Sequence, residues 1–291
     1  MSSGFSFILT EKCDWNCEYC YFSNISKQKG PKIETLQKHL PYIKRILDIL
    51  NHNNLFINTD IQGGEVGSIP LEILQYFFQT IKYKTAVSTN GEFLRRGYHL
   101  DEKIRPFIGA ILWHVSTKFD SKIEVDYNDK DVFISRGIVH HDIDEMVNFI
   151  KDNPHIIFDY VEFEFNLNDI RTMRASMYHS LINRLKDVEN VTTNARTILE
   201  MRLLENENLR DNCKAANGSI VLDLVNENIC LCQRSPDDCM PLNRASLIKR
   251  LTGFPNQFFE GKGCNTCTRL YSAKMNGTDI ETTMRMRRFL C

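Results

Sequence analysis

The sequence predicts an α/β protein: an open (β/α)6 partial TIM barrel over residues 1–190, followed by a small α+β domain over residues 191–291. Three observations predict it. Strand-like and helix-like segments alternate six times before about residue 190, which implies a parallel sheet covered by helices. Six such units are too few to close an eight-stranded barrel. Ten cysteines fall into two groups, three between residues 13 and 20 and seven between 213 and 291, and the change of pattern near 190 separates them.

Taken in order, Phe5 to Thr10 reads as a buried strand that delivers the first cysteines. Ile33, Leu36, Leu40, Ile43, Leu47 and Leu50 recur at helical spacing, with Pro41 a break or a late helix start. Leu55 to Ile61 is a second strand running into Gln62-Gly63-Gly64-Glu65, and Leu71 to Ile81 a helix. Strand Thr85 to Ser88 ends in Thr89-Asn90-Gly91; a helix around Asp101 to Pro106 and strand Ala110 to Ser116 follow. Strand Val132 to Val139, helix Ile143 to Ile150, strand Ile156 to Phe165 and helix Ile170 to Leu185 complete the six units. Beyond them, Ser219 to Leu224 and Ile229 to Cys232 flank Asn226-Glu227-Asn228 as a β-hairpin, and Ala245 to Leu251 forms a short helix.

Composition excludes several classes. A net charge of −1 provides no global field for nucleic acid or anionic membranes. The N-terminus lacks a basic region and its apolar run is too short for a signal peptide. The longest apolar stretch, near Phe107 to Val115, falls far below the roughly 20 residues of a membrane span. A soluble, cytoplasmic protein is expected. Disulfide frameworks belong mainly to small secreted domains, so two metal or cluster sites are the better reading of the cysteines.

In Cys13-Asp-Trp-Asn-Cys17-Glu-Tyr-Cys20 the spacing lets three thiolates reach three corners of a 4Fe-4S cluster and leaves the fourth iron open to a reacting molecule. A zinc knuckle wants four ligands, yet no histidine precedes His39 and no fourth cysteine precedes Cys213. In a parallel barrel the active site lies at the carboxyl ends of the strands. The cysteine loop, Gly63-Gly64-Glu65, Thr89-Asn90-Gly91 and Ser116 all fall at such ends.

These residues resemble the radical S-adenosyl-L-methionine (SAM) superfamily: a three-cysteine loop with Tyr19 just before its last cysteine, Gly-Gly-Glu after the second strand and Ser-Thr-Asn-Gly after the third, in order over the first 165 or so residues. The resemblance implies that Cys13, Cys17 and Cys20 hold the SAM-binding cluster, whose unique iron is chelated by SAM. It implies further that Gly63, Gly64 and Glu65 bind the methionine amino group, that Ser88, Asn90 and Ser116 serve the ribose or carboxylate, and that adenine lies near Tyr19.

The later cysteines resemble a Twitch domain, the shorter relative of the SPASM extension, with Cys213, Cys232, Cys264 and Cys267 as ligands of an auxiliary 4Fe-4S cluster. Cys230 and Cys232 would point to one strand face, so either fits as the hairpin ligand, and Cys239 and Cys291 remain to replace one of the four. A four-cysteine zinc ribbon is the alternative.

Other positions carry weaker signals. His114, His140 and His141 lie on or just after strands, where a lone histidine is more often packed than catalytic. Glu162 and Glu164 give strand six an acidic alternation. Lys118 and Arg136 are candidates for SAM's carboxylate or for surface ion pairs. The Arg285, Arg287, Arg288 run reads as a solvated tail, with a substrate or partner contact the alternative.

The resemblance implies radical cleavage of SAM, hydrogen abstraction from substrate, and an electron donor of the flavodoxin or ferredoxin type. Oxidation of a small polar molecule, with the auxiliary cluster as electron acceptor, is the expected reaction, because the chain begins almost at strand one without room for a leader-binding domain. Modification of a peptide by a maturase is the alternative, and a non-catalytic metal-binding scaffold a further one.

Overall fold

The structure is a computed structural model that describes residues 3–15, 29–116, 127–140, 142–163, 171–205, 219–230 and 239–253. One sheet runs through it with the strand order β6-β5-β4-β3-β2-β1-β7-β8-β9. Its parallel part comprises β1 (Ser3–Ile8), β2 (Phe56–Gln62), β3 (Thr85–Thr89), β4 (Ile108–Val115), β5 (Phe133–His140) and β6 (Tyr160–Phe163), each beside its sequence neighbour. Order 1-2-3-4-5-6 means that every crossover steps the same way. Right-handed crossovers then stack all helices on one side, and the other side becomes the inner face of a partial barrel.

Which side is which follows from alternation. Phe5, Phe7, Thr59, Ile61, Val87, Ile111, Trp113 and Val115 are buried toward the helix layer. The intervening Ser6, Asp60, Ala86 and Ala110 pair across neighbouring strands as one row of the inner face. The helix layer contributes α1 (Ile33–His52), α2 (Leu71–Ile81), α4 (Ile143–Asp152), α5 (Arg171–Leu185) and α6 (Thr193–Glu205), with the single turn α3 (Glu92–Arg95) at the rim.

Pro41 lies inside α1, and the helix continues through it. Leu36, Leu40, Ile43, Leu47 and Leu50 are fully buried along one stripe, and that packing outweighs the roughly 3 kcal/mol that an interior proline costs. The helix expected near Asp101 is instead a 3-10 turn over Arg105–Phe107. Asp142 caps α4 by accepting a hydrogen bond from Glu145 N at 3.0 Å.

The expected hairpin is β7 (Ser219–Asp223) and β8 (Asn228–Cys230), with β9 (Met240–Pro241) and α7 (Arg244–Gly253) after it. β7 lies parallel to β1, Phe5 against Ile220 and Phe7 against Leu222, so the sheet crosses residue 190 without a break. Ile220, Leu222, Leu224 and Ile229 accordingly belong to the same apolar core as Phe5 and Phe7. The hairpin turn has no glycine, and Glu227 takes φ 53°. The Asp223 carboxylate compensates: it accepts hydrogen bonds from Val225 N, Asn226 N and Asn226 Nδ2, each at 2.9 Å.

Cys230 and Cys239 form a disulfide. Spacing alone leaves both open as cluster ligands; the pairing commits each to the other, beside Ile8 and Val221 on the inner side of the sheet.

Candidate active site

The rim is built by two loops pressed together. After β1 the chain passes through Thr10, Glu11 and Lys12 to Cys13; after β2 it turns through Gly63, Gly64 and Glu65. Gly64 N donates to Thr10 O and Glu65 N to Lys12 O, both at 2.7 Å. A side chain at Gly64 would put its Cβ 2.3 Å from Lys12 O, and one at Gly63 would come 2.7 Å from Thr10 O at φ 127°. The glycines are therefore required by the approach of the cysteine loop itself. Glu11 N donates to Lys29 O at 2.9 Å, which joins the two ends of the segment containing the three cysteines.

Glu65 ties this pair of loops to a third. Its side chain is 2% exposed. Oε1 accepts from Gly67 N at 2.7 Å and from the Thr89 hydroxyl at 2.6 Å, while Oε2 accepts from Asn90 N at 2.6 Å. Burial pushes the Glu65 carboxyl above its ordinary pKa, and hydrogen bonds from Asn90, Thr89 and Gly67 pull in the opposite direction. Asn90 is buried; its Nδ2 donates to Asp14 Oδ1 at 3.3 Å and its Oδ1 accepts from Glu92 N at 3.1 Å. The ends of β1, β2 and β3 thus meet next to Cys13, which is partly exposed.

Ser88 lies on the inner alternation of β3, Ser116 is buried just past β4, and His114 shares its side of β4. Arg136 does not face the interior. It pairs in register with Trp113 on the helix side, and its guanidinium donates to Ile134 O at 3.0 Å, Tyr127 O at 2.7 Å and Asn128 Oδ1 at 2.8 Å. His140 is buried at the entrance to α4, where its Nδ1 accepts from Asp142 N at 3.0 Å. Glu162 is the register partner of Val139. Cys17, Tyr19, Cys20, Lys118, His141, Glu164, Cys213, Cys232, Cys264, Cys267, Cys291 and the arginine run lie outside the described residues. Among the described residues, no three potential metal ligands come together.

Two contributors were not foreseen, and one foreseen residue takes an unforeseen partner. Asp14 meets Asn90, Asp60 sits on the inner face with Ser6 Oγ donating to its Oδ1 at 2.8 Å, and Thr89 of the third strand-end motif meets Glu65. Asp60 had a legible signal: Asn58, Asp60 and Gln62 alternate with Ile57, Thr59 and Ile61, although parallel strands usually read as apolar runs. The Asp14 and Thr89 contacts span 76 and 24 residues and had none.

The rim fits a sulfonium amino-acid nucleoside in its donor set. Cys13 supplies a soft thiolate, suited to iron–sulfur ligation. The Gly63 and Gly64 carbonyls accept no hydrogen bond from other described residues, leaving two acceptors for an ammonium.

No protein-family model matches the sequence, and no curated protein sequence matches it. Solved structures do. Native anSMEcpe with bound AdoMet (SAM) aligns with TM-score 0.50 and 13% identity, over 80% of this chain and 76% of that one. SuiB of Streptococcus suis bound to S-adenosylmethionine aligns with TM-score 0.49 and 14% identity, over 93% and 67% of the two chains. BtrN in complex with AdoMet and 2-DOIA aligns with TM-score 0.45 and 11% identity, over 96% of each. These neighbours are radical SAM enzymes, and this chain shares the partial-barrel fold of anSMEcpe. No helix among the described residues is long and apolar enough to cross a membrane.

Proposed function

We propose that the chain is a radical SAM enzyme that oxidises a small polar molecule. The observation that carries this reading is the convergence of three strand ends: the Cys13 loop is hydrogen-bonded to Gly64 and Glu65, and Asn90 reaches from the third strand to Asp14. Cys13, Cys17 and Cys20 would hold a 4Fe-4S cluster. Gly63, Gly64, Glu65, Ser88, Asn90 and Ser116 form the SAM-binding rim, and Tyr19 the adenine side. Held there, SAM would supply, with one electron from a flavodoxin- or ferredoxin-type donor and with release of methionine, a 5′-deoxyadenosyl radical able to take hydrogen from an unactivated carbon.

The chain's own contribution is orientation. A substrate held beneath the rim meets the inner face, where Asp60, Gln62 and Ser88 present polar groups from β2 and β3. Such a face suits an ammonium- or hydroxyl-bearing molecule, because ordered polar partners fix a reacting carbon in place. Cys213, Cys232, Cys264 and Cys267 are the proposed ligands of an auxiliary 4Fe-4S cluster that receives the electron lost in oxidation. The Cys230–Cys239 pairing supports this ligand set by removing two competitors.

Anaerobic reconstitution followed by assay for 5′-deoxyadenosine tests the proposal. About eight irons per chain are expected for two four-iron clusters, falling to about four when Cys13, Cys17 and Cys20 are replaced by alanine. Iron-loaded protein that releases no 5′-deoxyadenosine under reducing conditions would overturn it in favour of a scaffold.

A further inference from the structure

We infer that Glu65 is a positioning residue: its carboxylate locks the loops after β2 and β3 together, and SAM meets the backbone that Glu65 fixes, not the carboxylate. This rests on the proposed SAM site and reassigns one of its residues. A carboxylate aimed at a ligand's ammonium should present an oxygen to the cavity. Here Oε1 already serves Gly67 N and the Thr89 hydroxyl, Oε2 serves Asn90 N, and the side chain is 2% exposed. Oε2 keeps a further lone pair, but at 2% exposure it offers no open face, so an ammonium could reach it only by parting the loop contacts that these hydrogen bonds hold.

The network behind Glu65 points away from the cavity. Thr89 belongs to the helix-facing alternation of β3 with Thr85 and Val87 and is itself 2% exposed. Its Oγ1, besides donating to Glu65, accepts from Gly91 N at 3.0 Å and Phe93 N at 3.3 Å, so it also caps α3. The loops are in close contact here: a Cβ on Gly67 would lie 2.4 Å from Phe93 N. On the cavity side, Glu65 holds Asn90 through its backbone N–H, and Asn90 in turn reaches Asp14 beside Cys13. Glu65 stands between a helix-layer anchor and the groups that would touch SAM.

A protein–ligand cycle separates the two roles. Wild-type holoenzyme and E65Q, both reconstituted anaerobically, are titrated calorimetrically with SAM and with the SAM analogue lacking the α-amino group. In E65Q an amide N–H replaces the acceptor that Asn90 N needs, so the expected result is weaker binding of both ligands by the same factor, about tenfold and equal within twofold. A Glu65 that contacts the ammonium gives the opposite pattern, tighter SAM binding in wild type but unchanged affinity of E65Q for the desamino analogue, and that overturns the inference. T89V provides a second reading from a residue that cannot touch SAM: its affinity falls at least fivefold at unchanged iron content, and T89S restores it. T89V binding SAM like wild type also overturns the inference. Wild-type holoenzyme with no affinity for SAM is a separate failure, which removes the SAM site and the inference with it.

Discussion

Asn226 Nδ2 donates to Glu11 Oε1 at 2.7 Å across 215 positions of sequence, tying the turn of the β7–β8 hairpin to the stem of the cysteine loop. Glu11 is 2% exposed and its Oε2 is buried without a partner among the described residues, where Asn226 supplies the side-chain hydrogen bond that this carboxylate receives. N226A is expected to destabilise the fold by about 1–3 kcal/mol, the cost of leaving a buried acceptor unsatisfied. E11Q keeps an oxygen for Asn226 to donate to, so it should cost less than N226A. Paired chemical denaturation of the two variants checks the order.

The glycines of the rim allow a sharper comparison. G64A drives a methyl into the Lys12 carbonyl at 2.3 Å, against backbone that is itself hydrogen-bonded to Glu65. It should cost several kcal/mol, about 3 or more by analogy with severe overpacking, and lower iron loading as the cysteine loop is displaced. Gly97 also has positive φ, at 69°, but nothing lies within 4 Å of its would-be Cβ. G97A should therefore cost only the left-handed backbone penalty, about 1 kcal/mol. Thermal unfolding with iron counts on both variants measures the difference.

Glu227 makes the docking of the hairpin turn depend on pH. Hydrogen bonds from Lys38 Nζ at 2.6 Å and from His39 at 2.8 Å lower its carboxyl to about 2. A depressed carboxyl stabilises the folded state above its unfolded pKa near 4.5, and that contribution fades as pH falls and is gone below about 2. Because Glu227 is substantially exposed, solvent and salt keep the effect small. E227Q should flatten the loss of stability between these pH values relative to wild type, most visibly at low ionic strength, in acid titrations followed by circular dichroism.

Much of this arrangement was legible in the sequence, and the limit has a physical pattern. α2 occupies the expected Leu71–Ile81, because Pro70 precedes it and Leu74, Phe77, Phe78 and Ile81 recur at helical spacing. The strand ends were placed because apolar runs stop at glycine or polar residues there. α6 was missed since its apolar residues follow no helical stripe, and α3 because a single turn carries too short a pattern. Gly63 and Gly64 were singled out for the close approach of a ligand; the structure shows Thr10 and Lys12 backbone also pressed against them, a neighbour no local pattern announces. Asn226 with Glu11 and Glu65 with Thr89 are contacts made by topology, and no local rule announces such pairs.

The disulfide gives the last prediction. Cys230 and Cys239 enclose residues 231–238, among them Cys232, the proposed hairpin ligand of an auxiliary cluster. Closing a loop with a sequence separation of 9 stabilises by about 2.5 kcal/mol in the chain-entropy account. Replacing both residues by serine should lower the melting temperature by a corresponding amount. If Cys213, Cys232, Cys264 and Cys267 are the auxiliary ligands, the same variant should retain its full iron content, because neither lost thiol binds the cluster. Alkylation of the denatured, unreduced wild-type protein should leave these two cysteines unlabelled, and mass spectrometry of a peptide spanning 230–239 reads this directly. Loss of about four irons in the double variant would instead make one of the pair a ligand and return Cys232 to the spare thiols.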